Sequence, residues 1–117
     1  MDVTPAVQNL TIQKGDTFRF EFDIDVDGSI LDLSTAVVLA QIRTGMSQTS
    51  TLIIDFTVDV SVDNVVTISL DHTETGSITH NSGFWDVLVI IGDDRTHYIQ
   101  GSVTFTGTVT IEEEPAP

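Results

Sequence analysis

Thr17-Phe18-Arg19-Phe20-Glu21-Phe22-Asp23-Ile24-Asp25-Val26 alternates without a miss between polar or charged and apolar side chains. A period of two is the pattern of a β-strand with one face on a core and the other in water. Phe18, Phe20, Phe22, Ile24 and Val26 form the inner set, and Thr17, Arg19, Glu21, Asp23 and Asp25 the outer set. Gly15-Asp16 precedes the run and Asp27-Gly28 follows it. Gly accepts positive φ without steric cost and Asp caps tight turns, so the spacing predicts a strand from Thr17 to Asp25 with a hairpin at Asp27-Gly28.

The same alternation extends outward in both directions. After a polar lead over residues 1–9, Leu10-Thr11-Ile12 predicts a short first strand, and Ile30 to Leu33 a short return from the hairpin. Ala36 to Arg43 places Val38, Ala40 and Ile42 on one face, and the loop from Thr44 to Ser50 is polar apart from Met46. Leu52, Ile54, Phe56, Val58 and Val60 alternate with Ile53, Asp55, Thr57 and Asp59, a strand expected to break near its end, and Val62-Asp63-Asn64 reads as its turn. Val66, Ile68 and Leu70 are the next inward set. Asp71 then caps a single helical turn through Thr73-Glu74-Thr75, ended by Gly76, in a connection expected to cross between sheets. Phe84 to Ile91 is nearly continuous in apolar character, which predicts a central strand covered on both faces. Gly92-Asp93-Asp94-Arg95 closes a hairpin into a last strand from His97 to Thr110, with Gly101 expected to mark a bulge.

No segment of useful length has a helical period. Short strands with turn signals about every ten residues predict an all-β fold, a two-sheet antiparallel immunoglobulin-like sandwich of about seven strands. The domain is expected over residues 10–110, with the lead 1–9 before it and an acidic tail 111–117, Glu112-Glu113-Glu114 included, after it. A chain of 117 residues buries roughly 65% of its unfolded surface, enough for one core without staples. Trp85 reads as an anchor of that core.

The formal charge of −14 sets 18 acids against Lys14, Arg19, Arg43 and Arg95. Affinity for nucleic acid comes largely from cations neutralising phosphates, so this balance argues against DNA, RNA and an anionic membrane face as partners. The absence of Cys removes disulfides, thiolate metal sites and a Cys nucleophile. No stretch approaches the roughly 18 apolar residues of a membrane span, and Met1-Asp2-Val3-Thr4-Pro5 lacks the basic start and apolar run of a secretory signal.

Asp23-Ile24-Asp25-Val26-Asp27-Gly28 matches the opening of an EF-hand calcium loop. Its twelfth position, however, is Ser34 where a bidentate Glu is required, and Ile24 and Val26 explain the spacing of the acids as the outer face of a strand. His72, His80 and His97 show no metal-ligand spacing, and Asp93-Asp94 beside Gly92 serves a turn. Without a nucleophile elbow, phosphate loop or dinucleotide fingerprint, no catalytic residue, metal or cofactor is expected.

The order of the pieces is more specific than any one of them. Ile12-Gln13-Lys14-Gly15-Asp16-Thr17-Phe18, the Asp25-Val26-Asp27-Gly28 hairpin, Leu31-Asp32-Leu33-Ser34 and Gln41-Ile42-Arg43 occupy the first half. Val66-Thr67-Ile68-Ser69-Leu70, Gly83-Phe84-Trp85-Asp86-Val87 and Tyr98-Ile99-Gln100-Gly101-Ser102-Val103-Thr104 complete the set. From about Leu10 to Thr110 the chain resembles small tailed-phage virion proteins similar to the immunoglobulin-like N-terminal domain of phage baseplate upper proteins. It departs from them in the polar stretch from Asp71 to Ser82, and in ending at Pro117 where a longer chain leads to a receptor-binding module.

The resemblance implies a non-enzymatic virion structural protein, a tail, baseplate or fibre-attachment module in an oligomeric assembly that docks to other virion proteins. The alternatives are a capsid decoration protein and a calcium- or carbohydrate-binding sandwich module. Ile53, Leu88 and Ile90 are the candidate interface residues, because each is apolar yet lies off the inward set of its strand, and Ile53 is the strongest of them.

Overall fold

The computed structural model describes residues 5–107; the expected strand end at 108–110 and the tail 111–117 lie outside the described residues. The fold is all-β. Among the described residues there are eleven strands and one helical turn: β1 (Ala6–Val7), β2 (Leu10–Gln13), β3 (Phe18–Phe22), β4 (Asp25–Val26), β5 (Ser29–Ile30), β6 (Val37–Arg43), β7 (Leu52–Asp55), β8 (Thr57–Val60), β9 (Val66–Leu70), α1 (His72–Gly76), β10 (Ser82–Ile91) and β11 (Asp94–Thr106).

A six-stranded sheet runs in the order β1-β11-β10-β6-β7, with β2 also pairing β11, and a three-stranded sheet runs β3-β9-β8. Ile12, Ile42, Trp85, Val87 and Val103 from the first sheet and Val66, Ile68 and Leu70 from the second share one buried cluster. Rings bridge the two layers: Trp85 meets Phe20 and Phe56 edge-on at centroid distances of 6.4 and 6.0 Å.

Local signals in the sequence act where they stand. Asp27 (φ 54°) and Gly28 (φ 84°) both take positive φ, the geometry of a two-residue hairpin turn whose twist matches its strands, and Val26 pairs with Ser29 across it. Because β4 pairs locally with β5, the Phe-rich strand stops pairing with β9 at Phe22↔Val66 and does not run to Asp25. Asp71 caps α1 reciprocally: its carboxylate accepts from Glu74 N at 2.7 Å, and Glu74 Oε1 accepts from Asp71 N at 3.0 Å. The buried Thr75 hydroxyl then donates to Asp16 O and accepts from Gly15 N, tying the crossing from β9 to β10 onto the turn before β3.

Several features differ from the sequence reading. The break in the 52–60 run falls at its middle: β7 pairs with β6, Phe56 N still donates to Ala40 O at 3.0 Å, and β8 pairs with β9 in the other sheet. Phe56 is buried between Phe18 and Trp85, so the chain changes sheet around a core ring without losing its alternation. The 1–9 lead is structured in part, since it contains β1, and both β1 and the expected first strand β2 run parallel to β11 in an otherwise antiparallel sheet. Gly101 pairs regularly with Trp85, and the register shift falls between Val87 and Leu88 instead. A Cβ on Gly101 would lie 2.6 Å from the Gln8 carbonyl carbon. The glycine therefore admits the backbone of the N-terminal segment, which lets Gln8 O accept from Trp85 Nε1 at 2.7 Å.

Candidate functional site

β10 lies between β11 and β6 at the middle of the large sheet. Its inward residues Trp85, Val87 and Val89 pair with Ile42, Ala40 and Val38 of β6, and all six are buried. Alternation sends the intervening residues to the opposite face, where three cross-strand pairs are Phe84↔Arg43, Leu88↔Leu39 and Ile90↔Val37. Among the described residues the 44–50 loop borders that face and leaves it part-exposed, where the continuous apolar run predicts cover on both sides. Val37 keeps 53% of its surface exposed, Leu39 45% and Phe84 37%, and Met46 from the 44–50 loop adds 59% at its border.

The loop and the face enclose a shallow cleft of about 380 Å³ lined by Leu39, Arg43, Met46, Phe84, Leu88 and His97 among others. Its polar side chains are held by one another. Arg43 donates to Ser50 O at 2.7 Å and to Gln41 Oε1 at 3.1 Å, and Gln41 Nε2 donates to Asp55 Oδ1 at 2.7 Å. This chain of bonds fixes the loop against β6 and β7. His97 Nε2 stands 3.6 Å from Asp86 Oδ2, with 34% and 46% of the two side chains still exposed.

A carboxyl group acts as an acid at neutral pH only when withdrawn from water, whereas an imidazole needs no such burial. The Asp86–His97 pair lies open, and the hydroxyls of the loop are bonded locally, Ser50 Oγ to Gly45 O and Ser47 Oγ to Thr49 Oγ1. What the arrangement offers is contact area: two rows of apolar side chains held flat by a rigid sheet, bordered by a few fixed polar groups.

The sequence-derived candidates separate here. Leu88 and Ile90 are half-buried on the outer face, side by side with Leu39 and Val37. Ile53 goes elsewhere. A register shift between Ile42 and Arg43 turns both Ile53 and Ile54 toward the core, and Ile53 Cδ1 comes within 3.0 Å of where a Cβ on Gly83 would sit. Val37, Leu39 and Phe84 were missed as candidates; the register of β6 against β10, which puts Leu39 opposite Leu88, is the signal that finds them.

Asp23, Asp25 and Asp27 are exposed around the β4–β5 hairpin. Among the described residues no three His, Cys, Asp or Glu side chains converge as metal ligands do, and no helix is long and apolar enough to cross a membrane. Comparison with protein-family models and with curated protein sequences gives no match, so fold and face carry the functional argument.

Proposed function

We propose that the chain is a non-enzymatic structural protein of a tailed-phage virion, a rigid tail, baseplate or fibre-attachment module that docks to other virion proteins. The observation that carries this reading is the outer face of β6 and β10, where Val37, Leu39, Phe84, Leu88 and Ile90 stand in adjacent rows on a sheet whose other face is the core. An apolar area of that kind, presented by a rigid scaffold and bordered by polar groups, suits protein contact.

Strand order supports an immunoglobulin-like architecture for the module. β11-β10-β6-β7 faces β3-β9-β8, and β2 runs parallel to β11 along the sheet edge. β7 at one end of the large sheet, and β3 and β8 at the ends of the small one, offer edges for strand addition by a neighbouring virion protein.

Mass spectrometry and electron microscopy of purified particles test the proposal. The protein is expected in intact virions at the copy number of a tail ring. A much higher copy number moves it to the capsid surface as a decoration protein, and its absence from particles defeats the virion reading.

A further inference from the structure

We propose that the outer face of the large sheet pairs with the same face of a second copy of this chain about a twofold axis. The inference rests on the docking reading and names the partner. It starts from charge. The chain has four cations and eighteen acids, so most of its surface repels another copy.

The outer face differs. Arg43 and Arg95 lie on it, opposite Phe84 and Ile90, together with Asp86 and with Asp55, which Gln41 holds. Half of the chain's cations thus meet two of its acids, with His97 beside Asp86, while Asp93 and Asp94 lie in the hairpin at the end of the strands. A basic partner suits the rest of the surface. This face, near neutral and carrying both signs, complements itself, which is the condition for an isologous contact.

The apolar content suits that partner, and the size suits a weak contact. Leu39 and Leu88 are directly opposed, with Val37 and Ile90 next to them and Phe84 on the other side, so an isologous contact would lay one apolar stripe on its own copy. β10 and β11 pair over ten residues, β6 has seven and β7 four, so at about 3.4 Å per residue and about 4.8 Å per strand the flat footprint is roughly 500 Å². That falls below the roughly 800 Å² per partner of a standard stable interface. The pairing is therefore reversible and concentration-dependent.

Sedimentation velocity of the full chain over a concentration series tests this, at about 0.01 M and about 1 M salt, between which the screening length falls from roughly 30 to roughly 3 Å. The expected result is a reversible dimer that tightens with salt, because screening removes the repulsion between two acidic bodies and leaves the apolar contact. Leu39→Glu is expected to weaken association at least about tenfold, since it sets a charge in the centre of the face. Val62→Glu adds the same charge at a fully exposed site on the β8–β9 turn and is expected to leave association within about twofold. Thermal unfolding of both variants checks that they fold.

A monomer at every concentration and salt overturns the proposal, and so does a dimer that both variants weaken equally. A monomeric chain still recovered in particles removes self-pairing and leaves the virion reading standing. A dimer absent from particles does the reverse.

Discussion

β3 and β10 both turn a row of large apolar side chains toward the interior, and they differ in what they turn outward. On β3 the outer residues are Arg19 and Glu21, which form an exposed ion pair at 3.1 Å. Such a pair contributes little to stability. It keeps the outer face of β3, an edge strand of the small sheet, in water. On β10 the outer residues are Phe84, Asp86, Leu88 and Ile90, flanked by Val37 and Leu39 of β6. Leaving apolar area in water forgoes about 25 cal/mol per Å². β10 does not alternate as β3 does, and the proposed docking face rests on that difference.

Substitutions on the two faces of the large sheet separate these roles. The largest loss is expected for Trp85→Ala, which removes two ring contacts and the bond to Gln8 O; unfolding by urea is expected to show about 3–5 kcal/mol of destabilisation. A loss below about 1 kcal/mol would displace the inner face of β10 from the centre of the core. Gly101→Ala comes next. The added methyl collides with the Gln8 backbone, and a loss of about 1–3 kcal/mol is expected together with a change in Trp85 fluorescence as the N-terminal segment moves off the indole.

Asp71→Ala breaks the capping box of α1, and about 1 kcal/mol is expected to be lost in the same measurement. Leu39→Thr changes only the outer face, and folding stability is expected to stay within about 0.5 kcal/mol of the parent. A loss comparable to that of Trp85→Ala would mean that the outer face is part of the core after all.

The smallest effect concerns pH. The Ser34 backbone amide donates to Asp32 Oδ1 at 3.0 Å, and this bond, with help from the Ser34 side chain, holds the Asp32 carboxyl below its ordinary value of 3.8. A carboxyl lowered by folding contributes stability above its unfolded pKa and loses that contribution as pH falls through the folded one. Carbon-detected titration of Asp32 by NMR is expected to give a midpoint below 3.8; a midpoint at or above it would mean the turn bond does not persist in solution.

Much of this was legible in the residues. The period-two runs identify which segments become strands, Asp27-Gly28 sets a hairpin with two positive φ values, and Asp71 with Glu74 sets a helix start. Each depends on contacts within a few positions, so the information is local and the chain writes it openly. Even the carboxylates that imitate a calcium loop are explained this way, as the solvent side of a strand and its turn.

Other features depend on which segments meet, and an alternating pattern says which residues share a face without saying what lies against it. The change of sheet at Phe56 is invisible because Leu52 to Val60 keeps its alternation on both sides of the break. The inward turn of Ile53 needs a register shift against β6, the parallel docking of β1 and β2 needs β11, and the use of Gly101 needs the arrival of Gln8. By itself the sequence determined that this protein is a set of amphipathic strands with an acidic exterior. Only tertiary pairing decided that, among the described residues, the second face of β10 stays part-exposed, because the coverage of a face depends on segments far away in the chain.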